Sequence, residues 1–521
     1  MLAVPAATPL RPARRLTTVL CAAVCLAVIG ATLAARPADA YVYNVGVTAS
    51  PHGQPVPSNF VGIALEFSEI PELAGATPQS VNPIFAALLK SLSPAGRPEV
   101  RIGGQSTDRA WWPVRGMARP LGVTYDLSTR WTAAAHAIAQ VTGAKYLLGI
   151  NLEANRTRVS QVEADHLVAG IGAANISALE IGNEPDLYTG IPWYRRQGGH
   201  VFPWYSQSGA PVYSRSPDYG PENYVQEVTR TLKVVPRLPI AGPETGSAPW
   251  ANAFDGLLSA HSQVRVLTSH AYGLNNCVSN PLLPSYPSVA HLVTLKASRG
   301  EVSGIGPYVA AAHRNGAAYR IDEMGSVTCN GRFGVSNTLA SALWVLDALF
   351  TMADDGVDGV NLHTFPNSAN GLFDFSTAHG HPRATVRPLY YGALMFAQAA
   401  PAGSRLLRVV SRSGGPLRVW ATSAPDHHIR VLLVNDSLTS SALAVVRTPV
   451  APGPADVERL RASSASATSG VTLGGRTFGA ATTTGVLAAP VAQTVAPHSG
   501  AYSVTLPAGS AGLLTLPAAG H

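Results

Sequence analysis

Eight short apolar runs recur through the middle of the chain, each ending in polar residues able to do chemistry. They are Val61–Glu66, Glu99–Gly104, Tyr146–Glu153, Ile176–Glu184, Leu238–Glu244, Val266–Tyr272, Tyr319–Glu323 and Gly359–Thr364. About 20 to 55 residues separate successive runs, enough for a crossover each time. Several intervals carry apolar residues at helical spacing: Val81–Leu92, Trp131–Thr142, Asn223–Val235 and, most strongly, Thr338–Asp354. Strands alternating with crossover helices mean a parallel sheet. Eight such units close an α/β (β/α)8 barrel. The competing arrangement, an open doubly wound sheet, usually shows a Gly-rich phosphate loop after its first strand. Here the first run ends in Leu65-Glu66-Phe67.

Both flanks of this region read differently. From about Pro401 the helical patterns stop, and short β-type runs alternate with Gly, Pro, Ser and Asp clusters. Residues 401–521 are therefore expected to form an antiparallel β-sandwich domain behind a barrel spanning 58–400. The segment 41–57 begins with an alternating run, Tyr41–Thr48, that has no partner among the eight. It is expected to join the C-terminal domain, because chain ends often lie close together. Residues 1–40 read as a signal peptide: Arg11, Arg14 and Arg15, then the apolar Leu16–Ala35, then Ala38-Asp39-Ala40 before Tyr41. An uncleaved membrane anchor is the other reading of that stretch. Cleavage would leave a secreted chain with no membrane contact.

Composition narrows the classes further. With 46% hydrophobic and 13% charged residues, the chain is not of the disordered kind. The net charge is +7, but the basic residues are scattered rather than gathered on a stripe or tail. That speaks against nucleic acid as a partner. After the signal only Cys277 and Cys329 remain, and export favours one disulfide between them over two unrelated buried thiols. Metal binding is not expected: there is no CxxC, and no His pair at ligand spacing near either Cys.

The chemistry concentrates at two run ends. The fourth ends Glu180-Ile181-Gly182-Asn183-Glu184-Pro185, and Pro185 should stop the strand at Glu184. The seventh ends Arg320-Ile321-Asp322-Glu323. Alone, Glu184 could cap a following helix and Glu323 could be a surface carboxylate. Together, at the C-terminal ends of barrel strands four and seven, they suit glycoside hydrolysis, in which one carboxyl protonates the leaving oxygen and the other attacks the anomeric carbon. Asn183 beside them can hold a sugar 2-hydroxyl.

The ordered set of motifs resembles the retaining glycoside hydrolases of clan A, and within it glycoside hydrolase family 79, the β-glucuronidases and heparanase relatives. It consists of Arg101 to Asp108 (RIGGQSTD), Glu180 to Tyr188 (EIGNEPDLY), Ser269 to Tyr272 (SHAY) and Asp322 to Ser326 (DEMGS). The resemblance implies an acid/base Glu184, a nucleophile Glu323, Asn183 on the 2-hydroxyl, and Tyr272 hydrogen-bonded to the nucleophile. Glu66 and Gln105 would hold non-reacting hydroxyls. Asn330, Gly331 and one of Tyr390 or Tyr391 would read a glucuronate carboxylate. Tyr390 and Tyr391 also fit as core helix residues, and Arg101 as a structural ion pair. His270 and His363 could each orient a carboxylate. The implied partner is an oligosaccharide, polysaccharide or glucuronide substrate, with no cofactor. The alternatives are a clan A enzyme on neutral sugars such as xylan or glucan, and a non-catalytic carbohydrate-binding protein of the same fold.

Overall fold

The eight runs close on themselves as a barrel of parallel strands in sequence order. A computed structural model describes residues 41–246, 250–300, 303–378, 381–411, 415–449, 453–491 and 493–518. The expected signal peptide, 1–40, lies outside them. Strands one to eight of the barrel are Val61–Glu66, Glu99–Gly103, Lys145–Ile150, Ile176–Ile181, Ile240–Thr245, Val264–Leu274, Ala318–Val327 and Gly359–His363. Most are buried along their length, because helices cover the outside and side chains fill the inside. The strongest helical pattern becomes Leu339–Asp354, with its first fifteen residues buried.

The interior floor explains two glycines. Arg320 donates from Nε to Asn361 Oδ1 and from a terminal nitrogen to Asn59 O at 3.0 Å. A Cβ on Gly359 would run into that guanidinium, and one on Gly62 into Glu99 O. The two positions carry no side chain, which leaves room for the Arg320 guanidinium and the Asn361 amide across the floor.

Strand four stops earlier than expected, at Ile181 rather than Glu184. Gly182 follows with φ 91° and Glu184 with φ 47°, so the backbone turns before Pro185 acts. A glutamate in the left-handed region is strained and needs surroundings that hold it there.

The C-terminal β-domain is one continuous ten-stranded sheet rather than two separate ones. The path runs Thr472–Leu473, Ala455–Arg461, Ser510–Thr515, Ile429–Asn435, Leu417–Ser423, Arg405–Ser411, Tyr41–His52, Ala442–Arg447, Tyr502–Leu506, with Gln493–Val495 beside Ala455–Arg461. Tyr43, Val431, Val446, Val457, Tyr502 and Leu514, from strands far apart on that path, share one core. The sheet therefore curls until its two halves face each other, and a single sheet builds the sandwich-like core. The first strand sits inside the sheet, antiparallel to Arg405–Ser411 but parallel to Ala442–Arg447. This parallel pair departs from the antiparallel expectation.

The domain is fastened to the barrel's outer helices. Trp420 stacks on Phe350 at 5.5 Å and donates from Nε1 to Asp347 Oδ1 at 2.8 Å. Among the described residues, no helix is long and apolar enough to cross a membrane.

Candidate active site

Arg101, on strand two, is the hub of the barrel mouth. Its side chain is fully buried. Nε donates to Glu180 Oε2 at 2.9 Å, and the terminal nitrogens donate to Glu323 Oε2 at 2.7 Å, Glu244 Oε2 at 2.6 Å and Asn183 Oδ1 at 2.8 Å. Asp322 Oδ2 lies 3.4 Å from Nε. One planar cation thus fixes groups from strands four, five and seven, which only a forked guanidinium can do.

Glu323 and Glu184 face each other across this hub. A carboxylate oxygen of each, with a ring nitrogen of His270, lies within 4.8 Å of the others. His270 Nδ1 is 3.0 Å from Glu184 Oε1 and 3.8 Å from Glu323 Oε1. The Tyr272 hydroxyl donates to Glu323 Oε1 at 2.5 Å. His363 bridges two carboxylates, with Nδ1 3.2 Å from Glu323 Oε1 and Nε2 3.4 Å from Glu66 Oε1. Gln105 donates to Glu184 Oε2 at 3.2 Å, and Glu66 Oε2 accepts the Ser106 amide at 2.8 Å. Glu184 is seated by its own amide, which donates to Glu244 O at 3.0 Å. Glu244 is itself left-handed, with φ 55°.

Electrostatics separate these carboxyls. Burial alone would raise Glu323, but His363, His270 and Arg101 outweigh it and hold the carboxyl well below its usual range. The same pairings lift the imidazoles against burial. His363 rises to about 10, mainly through Glu323, and His270 to about 9, through Glu323, Asp322 and Glu184. Beneath them, burial raises Glu180 to about 8, with Arg101 offsetting only part of it. Glu244 and Asp322 also go up through burial. One guanidinium faces four buried carboxyls, so burial pushes Glu180, Glu244 and Asp322 upward while the paired imidazoles hold Glu323 low. Tyr272 is raised by burial and by Glu323, and remains a donor.

Asp108, at the end of the Arg101 to Asp108 motif, locks three strand ends together. Its Oδ1 accepts from the amides of Leu152 and Glu153, and its Oδ2 from the Asn183 amide and the Tyr188 hydroxyl. Neither Asp108 nor Glu244 has a role in the sequence reading. Glu244 ends a run like the others, which was the available signal. Glu184, His270 and Glu323 offer a metal-like donor set, as do Glu244, His270 and Asp322. Arg101 already supplies positive charge within 2.7 Å of Glu244 and Glu323.

Three expectations need correction. Tyr390 and Tyr391 are not at the mouth. They lie on the helix Pro388–Ala399, buried against the β-domain. The Tyr390 hydroxyl donates to Leu88 O at 2.9 Å, and the Tyr391 hydroxyl accepts the Phe478 amide at 2.8 Å. That helix lies between the barrel's outer helices and the β-domain, where both rings pack on Phe478, so they are core. Cys277 and Cys329 do occupy neighbouring loops, but as thiols with sulfurs 3.9 Å apart, too far for the expected disulfide bond. The Gly331 amide donates to Thr328 O at 3.3 Å and is spent inside its own turn. Asn330 and Gly331 remain beside the loop after strand eight, where Asn330 O accepts the Ala369 amide at 2.9 Å.

A parallel eight-stranded barrel with facing carboxylates after strands four and seven, plus an appended β-domain, is an arrangement suited to glycoside hydrolysis. Residues 418–513 match the glycosyl hydrolase family 79 C-terminal beta domain, so the resemblance to family 79 holds there. A β-glucuronidase of Aspergillus niger is 23% identical over 489 residues, 84% of this chain and 86% of its own. Two solved structures share the fold. The 4-O-α-L-rhamnosyl-β-D-glucuronidase of Fusarium oxysporum 12S has TM-score 0.68 and 20% identity, covering 91% of this chain and 100% of its own. The GH51 arabinofuranosidase of Xanthomonas axonopodis pv. citri has TM-score 0.62 and 15% identity, covering 91% and 99%. The chain is a glycosidase, and its substrate is a glycan or other glycoside.

Proposed function

We propose that the protein removes terminal β-linked glucuronic acid by double displacement, with Glu323 as nucleophile and Glu184 as acid/base. The observation that carries this is the facing pair itself. Oxygens of Glu184 and Glu323 lie within 4.8 Å, a separation suited to direct attack rather than to an intervening water. In the first step a Glu323 oxygen bonds to the anomeric carbon while the C–O bond to the leaving group breaks, and Glu184 gives its proton to the departing oxygen. In the second, Glu184 takes a proton from water, the hydroxide oxygen bonds to the anomeric carbon, and Glu323 is released. Asn183 is oriented for the sugar 2-hydroxyl by Arg101 and Asp108. His363, Tyr272 and Arg101 keep the nucleophile anionic.

The glucuronate reading rests on likeness to the Aspergillus niger and Fusarium oxysporum enzymes, both named for glucuronide cleavage. The turn after strand seven supports it. Cys329, Asn330 and Gly331 have φ of 52°, 70° and 77°, and such turns direct backbone N–H groups toward anions. With the Gly331 amide engaged, the Asn330 amide is the one we assign to the sugar carboxylate. The N-terminal forty residues support secretion. Hydrolysis rates on aryl β-glucuronide, β-glucoside and β-xyloside test the specificity. The glucuronide should be preferred at least about tenfold, roughly 1.4 kcal/mol. A faster xyloside or glucoside would overturn it.

A further inference from the structure

Between Glu184 and the next crossover helix the chain makes an excursion that the catalytic reading does not use. It is a three-stranded antiparallel sheet of Tyr194–Gln197, His200–Pro203 and Ala210–Val212, with the first of these in the middle. The register pairs Tyr194 with Pro203 on one side and with Val212 on the other. The start of the middle strand and the ends of both outer strands therefore meet at one end of the sheet. That end gathers Trp193, Tyr194, Trp204, Tyr205 and Tyr213. Trp193 and Tyr194 pair at 5.8 Å, and Trp204 and Tyr205 at 5.7 Å.

The same end is fastened to the barrel mouth. Trp193 Nε1 donates to Asp108 O at 3.4 Å, and Ser214 Oγ to Glu153 Oε1 at 3.0 Å. Asp108 and Glu153 follow strands two and three, and Asp108 also holds the Asn183 amide. One cleft beside the acid/base is lined by Gln105, Glu184, Leu187 and Ile191, and by the Asp108 and Glu153 that anchor the sheet. Despite these anchors Tyr205 remains 68% exposed and Tyr213 44%. Exposed rings at the end of a sheet that is tied to the catalytic mouth offer a binding surface.

We propose that this aromatic end of the sheet binds the leaving group, and that the leaving group it fits is itself a saccharide. The inference rests on Glu184 being the acid/base. The group that Glu184 protonates departs on its side of the mouth, away from Glu323, where Leu187, Tyr188 and Ile191 line the cleft and the chain continues into the sheet. Aromatic faces suit the C–H-lined face of a pyranose, and tyrosine hydroxyls suit its rim. The ring, rather than a charge, does the recognising.

The experiment compares two substrates in the full chain: a glucuronide whose leaving group is a disaccharide, and one whose leaving group is nitrophenol. The reading is the ratio of their kcat/KM values, which a general loss of folded enzyme does not move. Tyr205→Ala and Tyr213→Ala, both at exposed positions, should each lower the saccharide-to-aryl ratio about three- to tenfold. Tyr205→Phe should restore it, since stacking uses the ring. An unchanged ratio in both alanine variants overturns the proposal. The glycone reading fails separately: if the native chain cleaves xylosides or glucosides instead, the same ratio is measured with that glycone. If it cleaves no glycoside, the acid/base assignment falls, and this proposal with it.

Discussion

The hydroxyl of Tyr272, on strand six, donates to Oε1 of Glu323, on strand seven, at 2.5 Å, while His363 Nδ1 stands 3.2 Å from the same oxygen. A carboxylate that receives two such donors and an Arg101 bond on its other oxygen is stabilised as an anion. A hydrogen bond to a charged group contributes about 1.5–3 kcal/mol. Tyr272→Phe should therefore move the acid limb of kcat/KM upward by about one pH unit, one unit being about 1.4 kcal/mol. A pH–rate profile checks this, and an unmoved limb would mean that the contact does not tune the nucleophile.

His363, His270 and Glu180 make stability depend on pH in one direction. Their folded values, about 10, about 9 and about 8, all lie above their ordinary ones. The folded state thus binds more protons than the unfolded chain between the two sets of values. The imidazoles' contribution is complete below about pH 6.5 and is lost as pH rises through 9 to 10. That of Glu180 fades from about pH 4.5 upward. Glu323, held low, acts oppositely and loses its contribution only as pH falls below the usual carboxylate range. Thermal unfolding should show Tm falling from pH 6.5 to 10. A rising Tm would contradict the charge pattern.

Arg101→Lys tests the hub. A lysine cannot donate to Glu180, Glu244, Glu323 and Asn183 together, so buried carboxylates lose their partner. Breaking a buried pair costs about 3–5 kcal/mol. Denaturant unfolding should show a loss of that order, with activity falling at least about a hundredfold. A variant with native stability would show that the carboxyls below the nucleophile need no cation.

Tyr390→Phe separates core from site. Removing the hydroxyl that donates to Leu88 O should cost about 1 kcal/mol and leave the kcat/KM of an aryl glycoside within twofold. A selective rise in KM for glucuronide would return Tyr390 to the binding site.

The barrel was legible because parallel strands buried on both faces read as apolar runs, and each of the eight runs coincides with an observed strand to within a few residues. Ser510–Thr515 (SAGLLT) was overlooked. It pairs on both sides with longer strands, yet its Ser, Ala and Gly look like a divider between strands. The curl of the sheet was hidden too, since register across a long path is not written in any single run. At the site, the types and order of Glu184, Glu323, Asn183 and Tyr272 were readable from motifs. That His363 could orient a carboxylate was readable from its place at a strand end, but not that it bridges two of them, because those come from strands one and seven, far away in sequence. Tyr390 and Tyr391 misled for a related reason: their place after strand eight suggested the mouth, but the apolar helix around them belongs to the core.

The most direct test of the two-carboxylate account is azide rescue with an activated aryl glycoside. In Glu184→Ala, glycosylation needs no acid for a good leaving group, and azide needs no base, so turnover should return with azide as the β-glycosyl azide. In Glu323→Ala, no glycosyl-enzyme forms on the native residue, and azide should give no β-product. A β-azide from the Glu323 variant, with an α-azide from Glu184→Ala, would reverse the two roles. Full activity in both variants would remove the carboxylates from the chemistry altogether.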